Sequence, residues 1–179
     1  MTEVRRIRAD EWREWRALRL RALADAPDAF ASTLVSAQRQ TDGFWQSRVW
    51  DNARGETSIG FVAIKGAAWC GMASGHFEPG QRDVAEFVGL WVDPLHRRSG
   101  IARALLDAVT VWARERGATR LRLWVTTTNA PARALYERTG FLETGEATTL
   151  PSNSELREVR MSRELAPRIR GKDSRPRSG

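Results

Sequence analysis

The hexapeptide Arg97-Arg98-Ser99-Gly100-Ile101-Ala102 joins an apolar run, Glu86-Phe87-Val88-Gly89-Leu90-Trp91-Val92, to a segment with Ile101, Leu105, Ala108, Val109 and Trp112 at helical spacing. The unbroken apolar run predicts a buried strand, and the periodic segment predicts an amphipathic helix. The first-turn amides of a helix have no intrahelical acceptor, and the helix dipole adds positive potential in front of them. A glycine at position 100 lets a ligand approach the backbone closely. A strand, a basic turn with glycine and a helix start therefore form a candidate phosphate cradle. The lysine and Ser/Thr that follow the last glycine of a nucleotide-hydrolase loop are missing, so the cradle is of another kind.

A second element follows. After the strand-like Leu121–Val125, the chain reads Asn129-Ala130-Pro131-Ala132-Arg133-Ala134-Leu135-Tyr136-Glu137-Arg138-Thr139-Gly140-Phe141. Asn129 is suited to an N-cap, Pro131 to a first helical turn and Gly140 to the position just past a helix. With both elements in this order, the chain resembles the GNAT superfamily of acyl-CoA-dependent N-acyltransferases. The Gln/Arg-x-x-Gly-x-Gly/Ala turn of that superfamily is matched by Arg97 to Ala102. Its later Asn-x-x-Ala, Leu-Tyr and Gly-Phe positions are matched by Asn129, Ala132, Leu135, Tyr136, Gly140 and Phe141. The two matches span roughly residues 84–145, and the order of elements extends the likeness over about 1–165.

The resemblance implies acetyl-CoA as acyl donor, with its pyrophosphate held by Arg97, Arg98, Ser99, Gly100, Ile101, Ala102 and Arg103. It implies that Leu90, Trp91 and Val92 bind the pantetheine arm as an added strand, in a sheet splayed open beside them. The Val92 amide would then face the thioester oxygen and stabilise developing negative charge. Tyr136, the one tyrosine in the chain, takes the position whose hydroxyl protonates the departing thiolate, a role suited to a phenol that is neutral at pH 7. Asn129 caps its helix and stands at a position that commonly touches the cofactor. Glu86 lies eleven residues before Arg97, the spacing of the general-base glutamate in histone-acetylating members. An acceptor ammonium needs such a base before it can attack. Phe30, Trp45 and Trp50 fall in the N-terminal helix–loop–helix that covers the acceptor pocket in the superfamily. Cys70 sits in an apolar strand run with no paired histidine, and reads as a small core residue.

These residues must be positioned by an α/β fold. Val4–Arg8 reads as a first strand and Asp10 as the cap of a helix to about Asp25, with Trp12, Trp15, Leu18 and Ala22 on one stripe. Pro27–Ser32 reads as a loop, and Thr41–Arg54 as a helix capped by Thr41 or Asp42. Ile59–Ile64 and Ala68–His76 form a predicted hairpin turning at Lys65-Gly66. Strand, helix, strand and helix follow, and Phe141–Leu150 and Glu155–Arg163 close the domain as strands joined at Pro151–Ser154. The GNAT resemblance implies a mixed, mostly antiparallel sheet of about seven strands, splayed in the middle and flanked by about four helices.

Composition narrows the class further. The 179 residues suit one domain over 1–166, followed by a basic tail at 167–179 that is low in apolar residues and expected to be disordered. Of the net charge of +7, the tail carries +4, from Arg168, Arg170, Lys172, Arg175 and Arg177 against Asp173. No apolar stretch approaches the ~20 residues of a membrane span, and Met1–Trp12 is too charged for a signal peptide. One cysteine excludes an internal disulfide, and His76 and His96 are too few for a histidine-rich metal site. The expectation is a cytoplasmic, metal-free N-acetyltransferase, monomer or homodimer, in which a primary amine attacks the thioester in a ternary complex, the acceptor being left open among a small-molecule amine, an antibiotic, a peptide N-terminus and a protein lysine. A non-catalytic protein of the same fold, using its basic tail for nucleic acid or a protein partner, is the alternative. The missing aromatic-and-basic stripe argues against nucleic acid.

Overall fold

The computed structural model describes residues 1–166; the predicted basic tail lies outside them. Seven strands form one sheet in the order β1-β2-β3-β4-β5-β7-β6. They are β1 (Thr2–Arg6), β2 (Ser58–Lys65), β3 (Ala68–Phe77), β4 (Val84–Val92), β5 (Arg120–Thr126), β6 (Leu142–Leu150) and β7 (Asn153–Glu164). All pairings are antiparallel except β4 with β5. The helices are α1 (Trp12–Asp25), α2 (Leu34–Gln38), α3 (Asp42–Arg54), α4 (Ile101–Glu115) and α5 (Ala130–Arg138).

The mostly antiparallel sheet is as expected, with five helices in place of about four. The additional one, α2, follows the predicted loop. Its N-cap Thr33 and Ser36 bond reciprocally, 3.1 and 3.2 Å, so local capping nucleates a single short helix. Thr41 caps α3 through the Phe44 amide at 3.2 Å. The expected cap at Asp10 is not formed. Glu11 stands at the start of α1 and accepts instead from the Arg8 amide and the Arg5 guanidinium. The first strand ends two residues earlier than expected, at Arg6.

The two sheet faces bury separate cores. On one, α4 contributes Ile101, Leu105, Val109 and Trp112 against Ala73, Ala85, Phe87, Leu121, Leu123 and Met161. On the other, Trp12, Trp15, Leu18 and Ala22 of α1 join Trp45 and Val49 of α3 over Val62, Met72 and Trp91. Cys70 is fully buried among the first set, and its Sγ donates to the Ala63 carbonyl at 3.4 Å. Burial pushes its thiol up, away from reactivity.

The helix α4 approaches the sheet through Gly75 of β3. A Cβ there would stand 2.7 Å from Val109 Cγ1 and 2.9 Å from the Trp112 ring. Gly75→Ala is expected to overpack this contact at a cost of about 1–3 kcal/mol. The corresponding fall in Tm is roughly 3–10 °C by thermal denaturation; an unchanged Tm would show that α4 can move off the sheet freely.

Candidate active site

Strands β4 and β5 pair over only three positions, Val84, Ala85 and Glu86 against Arg120, Leu121 and Arg122. Glu86 closes this short parallel ladder, and its carboxylate is buried at 6% exposure. Its Oε1 accepts from Arg122 Nε of β5 at 2.7 Å and from Arg160 Nη1 of β7 at 2.9 Å; Oε2 accepts from Arg160 Nη1 at 3.0 Å. One carboxylate thus binds three neighbouring strands at the point where the sheet begins to part. Both acceptor positions of Oε1 are taken, which leaves capacity for a further donor mainly at Oε2.

Beyond this vertex β4 turns away through a bulge. Val88 pairs with Ser74 but Trp91 with Met72, so β4 carries one extra residue, and Gly89 between them has φ +71°. Trp91 is opposite Met72, and the Asp93 amide donates to Cys70 O at 2.9 Å. Alternation along the strand therefore turns the amides of Leu90 and Val92 to the open edge. Leu90 lines a recess of about 70 Å³ with Phe87, Thr126, Asn129, Ala132 and Tyr136. Val92 does not line this recess, and its carbonyl accepts from Arg97 Nε at 3.0 Å. Of the two open-edge residues, Leu90 shares this recess with Tyr136 and Val92 does not.

The turn before α4 is built of donors. Arg98 has φ +59° and Gly100 φ +85°, a succession that turns amides toward one side. Among the described residues, no acceptor is bonded to the amides of Arg98, Ser99, Gly100, Ile101, Ala102 or Arg103; the first satisfied donor is Ala104, to Gly100 O at 3.0 Å. A Cβ on Gly100 would meet nothing within 4 Å, so the space before the turn is open. Free amides, a helix start and open space fit a pyrophosphate. The arginine side chains divide. Arg97 turns back to Val92 O and Asp25, whose carboxylate also accepts from Trp91 Nε1 at 2.8 Å. Arg103 pairs with Asp107, and Arg98 has no carboxylate partner among the described residues. The indole of Trp91 is buried and its backbone faces β3, so the open edge is presented by Leu90 and Val92.

Tyr136 is buried between Phe87 and Phe141, with ring centroids at 6.1 and 5.8 Å. No partner is bonded to its hydroxyl among the described residues, and burial holds the phenol above its usual value of 10. It therefore stays protonated at neutral pH, as a proton donor must. Asn129 caps α5 as expected, its Oδ1 accepting from the Ala132 amide at 3.2 Å.

The recess opens into a cleft of about 770 Å³ through Phe87, Val88, Gly89 and Trp124, which line both. Phe30 and Trp45 line this cleft as expected. Trp50 does not. It is 54% exposed on the outer side of α3, because Trp45, Val49 and Asn52 take the buried side and Trp50 is one residue off that stripe. Phe44, edge-on to Trp45 at 5.4 Å, takes its place in the cleft. Sequence reasoning missed Arg19, Arg48 and Glu158, which also line it. Glu158 is buried at 8% exposure with no partner among the described residues, and burial pushes its carboxyl up. It lies in an alternating charged strand, where nothing distinguishes the inward residue from its neighbours.

The site thus combines a sheet opened beside a bulged strand, a turn of free amides and a cleft. The pattern of the acetyltransferase (GNAT) family matches residues 4–141, and the chain belongs to that family. It is 33% identical over 129 residues to mycothiol acetyltransferase of Salinispora tropica, covering 71% of this chain and 40% of that protein. The chain thus spans about two fifths of the length of such curated relatives. The fold is similar to the GNAT acetyltransferase of Streptococcus pneumoniae, with TM-score 0.81 at 18% identity over 93% of this chain and 100% of that one. It is also similar to yncA from Salmonella typhimurium, solved with its cofactor acetyl-CoA, with TM-score 0.73 at 20% identity over 93% and 95% of the two chains. Among the described residues, no cluster of His, Cys, Asp and Glu could hold a metal ion, and no helix is long and apolar enough to cross a membrane.

Gly100→Glu is expected to abolish CoA binding in isothermal titration while the fold is retained, because a carboxylate would project into the space before the free amides. Unchanged affinity in the folded variant would remove the cradle. Because Tyr136 is the one tyrosine beside eight tryptophans that do not titrate, the pH-dependent change in absorbance near 295 nm reads its ionisation. Folded protein should show markedly less tyrosinate at pH 10 than denatured protein, which should be about half ionised there.

Proposed function

We propose that the protein is an acetyl-CoA-dependent N-acetyltransferase acting on a primary amine held in the cleft. The observation that carries this reading is the junction at Gly89. There the unpaired edge of β4, the buried phenol of Tyr136 and the carboxylate-bearing cleft meet. Acetyl-CoA supplies the activated thioester; the amides of Arg98 to Arg103 hold its pyrophosphate, and the open edge at Leu90 and Val92 receives its pantetheine arm.

The amine nitrogen, freed of its proton, forms the new C–N bond as the C–S bond breaks. The amide at Leu90 donates to the carbonyl oxygen as negative charge develops on it. Tyr136 gives its proton to sulfur and regains one from solvent. One ammonium proton passes to a cleft carboxylate before attack, and the N–H proton lost as the amide forms passes to solvent. Glu86 has the family-like spacing, but two guanidiniums occupy most of its acceptor capacity. Glu158 has its full capacity and lies unpaired, which favours it as the proton acceptor, with Glu86 as the fixed negative charge beside it. Holding both substrates in one continuous opening contributes through orientation. The basic tail on which a binding-protein reading rests lies outside the described residues.

Tyr136→Phe removes one hydroxyl from a packed ring. CoA affinity should change by no more than a few-fold while kcat falls roughly 10- to 1000-fold. Full kcat with chemistry rate-limiting would make Tyr136 a packing residue. Glu158→Gln should lower kcat and, unusually for a core substitution, raise Tm at pH 7–8. Its raised pKa means folding favours the protonated form, so stability contributed there is lost as pH rises and the charge is buried unpaired. The gain in Tm should shrink as pH falls into the carboxylate range, where both side chains are neutral. Melting curves from pH 4 to 8 read this directly. A lower Tm at pH 7 would show that the Glu158 charge has a partner.

A further inference from the structure

The acceptor cleft has one wall of uncompensated positive charge. Arg19 of α1 and Arg48 of α3 both line it, each four residues after an aromatic that lines it too, Trp15 and Phe44. Helical spacing thus sets an aromatic face beside a guanidinium on both helices. Arg19 stacks on Phe30 at 4.3 Å and donates from Nη2 to Ser32 Oγ at 3.0 Å. Its Nη1 stands 3.7 Å from where a Cβ on Gly89 would lie, beside the bulge itself. Arg48 lines the cleft and is exposed to solvent. Among the described residues neither has a carboxylate at ion-pair distance. By contrast, the partly buried Arg5 pairs with Glu11, and Arg122 and Arg160 share Glu86. Burial, and then the charge of Arg48, push Arg19 down to about 10. Two guanidiniums held near one another without an anion stabilise the empty protein poorly, and a bound anion would relieve both.

The opposite side of the cleft, the sheet floor, carries the carboxylates of Glu86 and Glu158. The groups of the cleft left without an ion-pair partner among the described residues are therefore Arg19 and Arg48 at the helices and Glu158 at the sheet, Glu86 being neutralised by Arg122 and Arg160, with Trp15, Phe44, Trp45 and Trp124 lining the same cleft.

Building on the acetyltransfer reading, we infer that the acceptor is zwitterionic, an amino acid with an apolar or aromatic side chain whose carboxylate is received by Arg19 and Arg48. Its nitrogen then faces the sheet carboxylates at the Gly89 junction, and its side chain lies among the aromatics. A plain amine would leave the guanidiniums unpaired, and a diamine would be repelled by them. The planar fork of a guanidinium matches a carboxylate in particular.

The test uses acceptor pairs that differ only in the carboxylate: phenylalanine and phenethylamine, tryptophan and tryptamine, leucine and isoamylamine. In the wild type, kcat/KM for at least one acid is expected to exceed that of its amine by about 10- to 100-fold, as a charge-assisted pair contributes. Arg48→Gln should reduce that ratio toward one, chiefly by raising KM of the acid, and Arg48→Glu should reverse it. A wild-type ratio at or below one in every pair overturns the inference, as does stronger use of an aminoalkylphosphonate than of the matching amino acid. A second readout needs no turnover. N-acetylphenylalanine should bind the wild type in calorimetry and bind Arg48→Gln at least ten-fold more weakly, with Tm confirming that the variant is folded. Binding of the N-acetyl acid without transfer to any amine would sink the transferase reading and leave this anion site standing. Transfer with preference for plain amines would do the opposite.

Discussion

The open strand edge and the recess and cleft beside it depend on where the ladder between β4 and β5 stops. Parallel strands normally continue to pair, because each unpaired backbone group in a protein interior is costly. Here pairing ends after Glu86 and Arg122. The Glu86 carboxylate, joined to Arg122 and Arg160, ties β4, β5 and β7 at that position. The extra residue at the Gly89 bulge then turns β4 out of line. A buried ion pair is seldom a net source of stability, yet breaking one by removing a partner costs about 3–5 kcal/mol. Its use here is geometric: it fixes the vertex, and the vertex exposes the strand edge at Leu90 and Val92.

The same device explains why Glu86 is poorly understood as a catalytic base alone. A residue on which three strands converge is under a structural constraint whatever its chemistry. Glu158 is under the opposite one. It is buried without a partner, a state that folding disfavours and that persists only where the rest of the fold holds it. The unpaired Arg19 and Arg48 across the cleft belong with it. Such groups are where a stable protein gives up stability, and they gather around one opening.

The cradle and its neighbours were legible in the sequence because they act through the backbone. Gly100 must adopt a left-handed φ, Asn129 must cap, and the α4 stripe must face the sheet; each leaves a local pattern that spacing reveals. The strand limits followed from apolar runs with errors of a residue or two. The cleft was not legible in the same way. Arg19, Phe44, Arg48, Glu86, Trp124 and Glu158 come from separate elements, brought together by the sheet order and not by any spacing. Helical position separated Trp45 from Trp50 only once it was known which side of α3 lies against α1. In an arginine-rich chain, the two cleft arginines that lack an anion could not be told from those that have one.

This division bears on how far the chain has diverged from proteins of the same shape. A fold held at TM-score 0.81 with 18% identity requires that the shared part tolerate replacement of most side chains. Amides and a single glycine meet that requirement, since any residue supplies an N–H provided that φ can be reached. The cleft works by the reverse logic. Its character rests on which side chains are present and on which are left unpaired, so a few substitutions on α1, α3 and β7 would change its lining without moving the vertex. The open edge and the cleft are thus made by different chemical parts of one sheet, the first by its broken backbone ladder and the second by the side chains that its face and covering helices present there.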